Sequence, residues 1–304
     1  MSQTLLQLVQ AAQGELGLFP LPSAVASATD NQTQQFMALA NSLGKNLVKE
    51  RAWQALQTQY RFNVQSLVTT GNLSASGATT ITGLGSVAGI TSDSTWSVTG
   101  NGVQQDTYVT NITGATATLS LAANAAAVAQ TYTFCKLKYA MPADYDRLQP
   151  RTDYDKSKHW EMLGPTSPQN AEWLKSGYIS TGPRLRYWIQ GGFYNIWPIV
   201  STNDLLGFQY ISKNWASSAA GAGQQAFVAD TDTCVYHDVL MTTGLKLKYF
   251  AVKGFDTTAL LAEFTRMLGA SEAQDSDSPT LSFAPRNVNE LIGYEQIPDS
   301  GYGV

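Results

Sequence analysis

The chain has 304 residues, a formal net charge of −4 and a pI of about 5.2. It lacks the basic footprint that neutralising phosphates requires, which argues against nucleic acid as a direct ligand, and no apolar run approaches the ~20 residues of a bilayer-spanning helix. Charged residues are only 14% of the chain, below the ~25% usual for soluble proteins, so the surface is expected either to be covered by partner chains or to be Thr- and Ser-rich β structure.

The opening MSQTLLQLVQAAQGELG has no positive n-region and predicts an amphipathic helix instead of a signal peptide. Ser2 is its expected N-cap, Leu5, Val9, Ala12 and Leu16 its apolar face, and Gly17 its stop. Leu18-Phe-Pro-Leu-Pro enforces an extended connector. Asp30 or Asn31 then caps a long helix whose stripe is Phe36, Ala40, Leu43 and Leu47. That stripe is expected to continue through Trp53 and Leu56 and to pass directly into a strand at Arg61 or Phe62.

From Phe62 to Phe134 the only charged residues are Asp93 and Asp106, and Thr, Ser, Gly and Ala dominate. Short alternating runs between Gly- and Asn-containing turns predict a small all-β sandwich inserted at 65–134. Asn101-Gly102 is a hairpin signal. A strand over Thr131 to Lys138 closes the insertion, and a tract follows in which Asp144, Asp146, Asp153 and Asp155 alternate with Arg147, Arg151, Lys156 and Lys158. Mixed signs of this kind predict a solvated face.

A short helix is predicted over Gln169 to Ser176. RLRYWIQGGFYNIWPIV reads as a hairpin turning at Gly191-Gly192, with Leu185, Tyr187 and Ile189 on one face. Leu205 to Ser212 adds a strand, and Phe227-Val228 a short one. Asp230 or Asp232 is the expected cap of a helix from Val235 to about Phe250, whose end KLKYFAV also fits alternation. Gly254 breaks it, and Asp256 caps a last helix with the stripe Leu260, Phe264 and Met267. Beyond Gly269 the chain turns polar and acidic, yet it carries Phe283, Leu291, Ile292, Tyr294, Ile297 and Tyr302 among Pro, Asn and Gly. Residues 278–304 could extend roughly 90 Å at ~3.3 Å per residue. Such a segment cannot bury enough to fold alone, and its large apolar side chains mark an interaction arm.

The expected fold class is therefore α+β. N- and C-terminal helices with one apolar face each must bury those faces against one another, giving an antiparallel helical bundle interrupted by antiparallel β structure with the inserted sandwich. The parts are the N-terminal half of the bundle (1–64), the insertion (65–134), a β-rich region with a short helix (135–229), the C-terminal half of the bundle (230–270) and the arm (271–304).

No catalytic signature emerges. His159 and His237 have no ligand-type spacing to each other or to a cysteine, so no metal, cofactor or catalytic residue is expected. Cys135 and Cys234 are expected as buried thiols instead of a disulfide. Asp93 and Asp106 fit loop caps better than calcium ligands. Trp188, Phe193, Tyr194 and Trp197 could stack on a sugar, but a small sheet under helices needs them for its core.

The order of these segments resembles the head-to-tail adaptor of short-tailed phages, the tail tubular protein A type. The landmarks are Trp53, Leu56, Tyr60 and Phe62, then Met141, Pro142, Asp144, Tyr145, Asp146 and Arg147, with RLRYWIQGGFYNIWPI, LGFQYISKNWA and Asp230-Thr-Asp232. The 65–134 insertion resembles the immunoglobulin-like modules of phage structural proteins. The resemblance implies a virion protein of the head-tail junction, assembled in the host cytoplasm as a homo-oligomeric ring that is twelve-fold in the family. Its implied partners are the portal protein, neighbouring adaptor subunits and tail nozzle or fibre proteins, with genome DNA only passing through the lumen and no membrane. The competing expectation is a glycan-binding tail protein or adhesin that uses the β module.

Overall fold

The structure, a computed structural model, describes residues 3–176 and 184–275. It is a mixed α+β chain with five α-helices among the described residues and several antiparallel sheets. Two compact units divide it. The described residues of 1–58, 144–148 and 210–290 form one, and those of 59–143 and 149–209 form the other.

In the first unit four helices come from the two ends of the chain: α1 (Leu5–Glu15), α2 (Asn31–Glu50), α4 (Asp238–Lys253) and α5 (Thr258–Asp275). Helix α3 (Pro168–Lys175), capped by Ser167, belongs to the second unit. Helix α4 packs against α1, α2 and α5. One core joins Leu5, Leu8 and Val9 of α1, Phe36, Leu43 and Leu47 of α2, and Leu240, Met241, Leu245 and Tyr249 of α4. Helix α5 has no buried residue and lays only Phe264, Met267 and Leu268 on that core. It runs past Gly269 to Asp275, so the change to polar sequence there marks a solvated helix face and not a helix end.

Helix ends differ from the sequence expectation in three places, each for a hydrogen-bonding reason. Thr4, not Ser2, caps α1 through a capping box with Gln7. Helix α2 stops at Glu50 because Arg51 is extended (φ −146°, ψ 162°). Trp53 then folds back and its Nε1 donates to Leu47 O at 2.6 Å, satisfying a carbonyl of the last turn. A 3₁₀ turn over Gln54–Leu56 leads into a strand that begins at Gln57, before the predicted Arg61 or Phe62. Helix α4 is capped by His237, whose Nδ1 accepts from Val239 N, and not by Asp230 or Asp232. Gly254, left-handed at φ 76°, ends α4, and Asp256 accepts from Thr258 N at the start of α5.

Phe227-Val228 forms no strand. Phe227 N instead donates to the Asn41 side chain, and the local sheet consists of Ala216–Ser217 between Gly223–Gln224 and Thr233–Cys234.

In the second unit, strands over 66–136 make one continuous six-stranded sheet where a two-sheet sandwich was predicted. Its spatial order is Trp96–Gly100, Ala127–Lys136, Ser66–Leu73, Thr80–Thr82, Thr116–Leu119, Val109–Thr113. A bridge between Ser97 and Tyr108, with Val98 N donating to Thr107 O, brings its two edges together. The sheet thereby encloses Leu73, Ile81, Trp96, Val98, Val109, Tyr132 and Phe134, and its edges are not left open.

A second sheet pairs Arg186–Gln190 with Phe193–Trp197, and Phe193–Trp197 with Lys138–Ala140. Gly191 and Gly192, at φ 61° and 80°, make the predicted two-residue turn with the backbone signs that favour glycine. Of the three residues expected on one face, Leu185 and Tyr187 are buried and Ile189 is exposed beside the turn.

Candidate interaction surface

The acidic tract is not a solvated face. Strand Tyr145–Leu148 pairs with Tyr210, Ile211 and Ser212, which draws its carboxylates inward. Asp144 accepts from Tyr210 OH at 2.8 Å and Ser212 OH at 2.6 Å. Asp146, its side chain 1% exposed, is bonded by Lys49 and Arg147, and Arg147 also donates to Arg51 O, which fastens the last turn of α2. In the second unit Asp155 accepts from Ser157 N and Lys158 N, and Lys158 Nζ reaches Asp204 at 2.7 Å. These aspartates are structural anchors.

Asp153 is the least exposed residue among them. It is buried, and Oδ1 accepts from Tyr194 OH at 2.8 Å, while Oδ2 has no partner among the described residues. Burial pushes its carboxyl above the ordinary range, opposed by the Tyr187 and Tyr194 hydroxyls. A carboxyl whose folded pKa lies above its unfolded value supplies stability that is full below the unfolded pKa, ~3.9, and is lost as pH rises through the folded value. Asp153→Asn should therefore gain on the native protein as pH is raised from ~4 to 7 in urea-unfolding midpoints. A difference that stays constant over that range would remove the premise.

His237 and Cys234 border one cavity. A cavity of about 500 Å³ is lined by Trp53, Cys234, His237, Asp238 and Asp275 among others. His237 Nδ1 is taken up in capping α4, Asp238 accepts from Gln3 N, and Asp275 accepts from Gln54 N. Burial pushes the Cys234 thiol up to about 12, the opposite of an activated nucleophile, and the Cys135 thiol up to about 11. Both cysteines are free and buried. Among the described residues no three His, Cys, Asp or Glu side chains gather as metal ligands, and no described helix is long and apolar enough to cross a membrane. Asp93 is a loop cap: it accepts from Thr91 OH and from both N and OH of Thr95.

The aromatic residues weighed as a sugar platform are mostly interior. Trp188, Tyr194 and Trp197 are buried, and Tyr194 is stacked between Tyr187 at 5.2 Å and Phe208 at 4.8 Å. Phe193 alone is exposed, at the turn-side end of its strand.

What the helical unit offers is an apolar end. Phe36 near the start of α2 stacks on Tyr249 near the end of α4 at 4.9 Å, so these two termini lie together. Around them Phe19 is 71% exposed, Val252 60% and Phe255 57%, with Leu21 also exposed. Large apolar side chains left exposed near these termini make this end the candidate contact surface. Phe19 and Leu21 come from the proline-bounded connector, whose composition was the one available signal. The arm residues Phe283, Leu291, Ile292, Tyr294, Ile297 and Tyr302 lie outside the described residues. No protein-family model and no curated protein matches the chain.

Proposed function

We propose that this chain is a phage structural protein, a head-to-tail adaptor that forms a ring under the portal and joins it to the next tail component while DNA passes through the lumen. In this reading the helices of the first unit are an antiparallel bundle interrupted by β structure, and the strands of 66–136 are an inserted β module that holds fibres or stiffens the collar. The observation that carries it is the helical unit itself. Helices from both chain ends share one core and leave Phe19, Leu21, Val252 and Phe255 uncovered at one end, as a subunit made for neighbours would. The anchored carboxylates and the basic thiol pKa values support a structural role over catalysis. Burial of Trp188, Tyr194 and Trp197 removes the platform that a glycan-binding protein would need there.

Electron microscopy of the purified chain with portal rings tests the proposal, with added density under the portal as the expected result. Deleting residues 278–304 should abolish attachment while the far-UV circular dichroism of a folded protein persists. Attachment that survives the deletion would refute the arm's part, and no attachment by the intact chain would refute the adaptor reading.

A further inference from the structure

Asn101-Gly102, expected from the sequence as a hairpin signal, forms the centre of a β-turn over 100–103 in which Val103 N donates to Gly100 O at 3.2 Å. Gly102 has φ 79° and Asn101 is not left-handed, the signs of a type II turn. A Cβ at Gly102 would fall 2.6 Å from Ala125 O, so the position admits only glycine. Gly102 O accepts from Asn124 N at 2.8 Å. Neither bond occupies the Asn101 side chain or the Gly102 N–H, and Asn101 is exposed.

An asparagine amide carbon lies within reach of the backbone nitrogen of the next residue, because closing on it makes a five-membered ring. A side chain on that next residue crowds the closure, and glycine removes the obstacle. No other asparagine in the chain precedes a glycine. Several of the others are also held in place. Asn41 exchanges two hydrogen bonds with the Phe227 backbone, Asn72 Oδ1 accepts from Ala129 N, Asn203 Oδ1 accepts from Ser66 N, and Asn195 is buried. The turn at Asn101 must open for the nitrogen to reach the amide carbon. One 3.2 Å bond across an exposed turn resists that opening only weakly.

The turn also begins the 101–107 loop, which carries the chain to the bridge between Ser97 and Tyr108 where the edges of the six-stranded sheet meet. Gln104 Nε2 donates to Ala122 O at 2.6 Å, Thr107 Oγ1 to Gln104 O at 2.7 Å, and Val98 N to Thr107 O at 3.0 Å. A backbone already fitted against Ala125 O has no slack for an extra atom.

We propose that Asn101 is a site of spontaneous deamidation in the folded protein, and that the isoaspartate formed loosens the closing seam of the 66–136 sheet. Gly102 N, giving up its proton, bonds to Asn101 Cγ. The Cγ–Nδ2 bond breaks and ammonia leaves, which gives a cyclic imide. Water then adds to one of the two imide carbonyls. Cleavage at Cγ yields aspartate, and cleavage at the original peptide carbonyl yields isoaspartate, whose backbone runs through Cβ and Cγ and is one carbon longer. Water enters, ammonia departs, and nothing is oxidised or reduced. The product also places a carboxylate in a stretch, Phe62 to Phe134, whose only charged residues are Asp93 and Asp106. Neither step needs a partner chain, so portal attachment or its failure bears on neither.

Ageing the purified full-length chain at physiological temperature in mildly alkaline buffer tests both parts. Peptide mass spectrometry with isoaspartate-specific enzymatic methylation should show the Asn101 peptide converting at least about tenfold faster than any other asparagine-containing peptide. Asn101→Ser should take no label at that position. In hydrogen exchange, the amides of Val98 and Asn124 should exchange faster in the aged chain than in the fresh one. Asn101→Asp carries the new charge without the extra carbon and should match the fresh chain. An Asn101 that stays intact while other asparagines convert would overturn the site. Isoaspartate with unchanged exchange at Val98 and Asn124, or an Asn101→Asp chain that exchanges as fast as the aged one, would overturn its effect on the seam.

Discussion

Trp215→Ala is expected to cost about 3–5 kcal/mol of stability, the range for removing a fully buried large aromatic side chain. Trp215 is 0% exposed, its Nε1 donates to Gln225 O at 3.0 Å, and its ring meets Phe227 at 4.8 Å edge-on. Directly under it lies Gly44 of α2, where a Cβ would fall 2.4 Å from the indole. Glycine in a helix interior costs ~1 kcal/mol relative to alanine, and the close approach of this ring is the reason to accept it. Gly44→Ala in the native background should therefore destabilise by about 1–3 kcal/mol or more through overpacking. In a Trp215→Ala background the same change should become neutral or favourable, since the cavity accepts the methyl group and helix propensity is regained. The double-mutant cycle read from urea unfolding should show a coupling of several kcal/mol. A Gly44→Ala cost that is equal in both backgrounds would mean the indole is not what excludes a side chain there.

The same pair shows what a sequence can convey. Periodicity located α2, α3 and α4, and turn chemistry located the Gly191-Gly192 hairpin and the Gly254 stop, because each depends on residues adjacent in the chain. The strand Leu205–Ser212 was legible for the same reason. Trp53 was misread because an apolar residue at helical spacing can reach the core from a loop that folds back as well as from a helix. The acid pairs were misread because alternating signs look solvated until the partners, Tyr210, Ser212, Lys49 and Tyr194, arrive from distant parts of the chain.

Asp230-Thr-Asp232 was read as a helix cap for α4, yet it serves the opposite end of the chain, which gives the second large effect. Asp232 is 1% exposed, and its Oδ2 accepts from Val228 N at 2.7 Å and Ala229 N at 2.8 Å. That clasp presents two backbone carbonyls to α1: Leu5 N donates to Asp232 O at 2.8 Å and Leu6 N to Asp230 O at 3.2 Å. With Thr4 Oγ1 accepting from Gln7 N, the first turn of α1 has its orphan donors met. Asp232→Ala removes two charge-assisted bonds at once and should cost about 2–4 kcal/mol in urea unfolding. Asp232→Asn keeps one acceptor oxygen and should fall between. Asp230→Ala should cost less in stability, because Asp230 is only partly buried, but it releases Val25 N and Ala26 N, which both donate to Asp230 Oδ1, and should speed proteolytic cleavage within the 18–30 connector. Cleavage there unchanged by Asp230→Ala, together with a loss below ~1 kcal/mol for Asp232→Ala, would mean that α1 docks through its apolar face alone and that the acidic tripeptide is incidental to it.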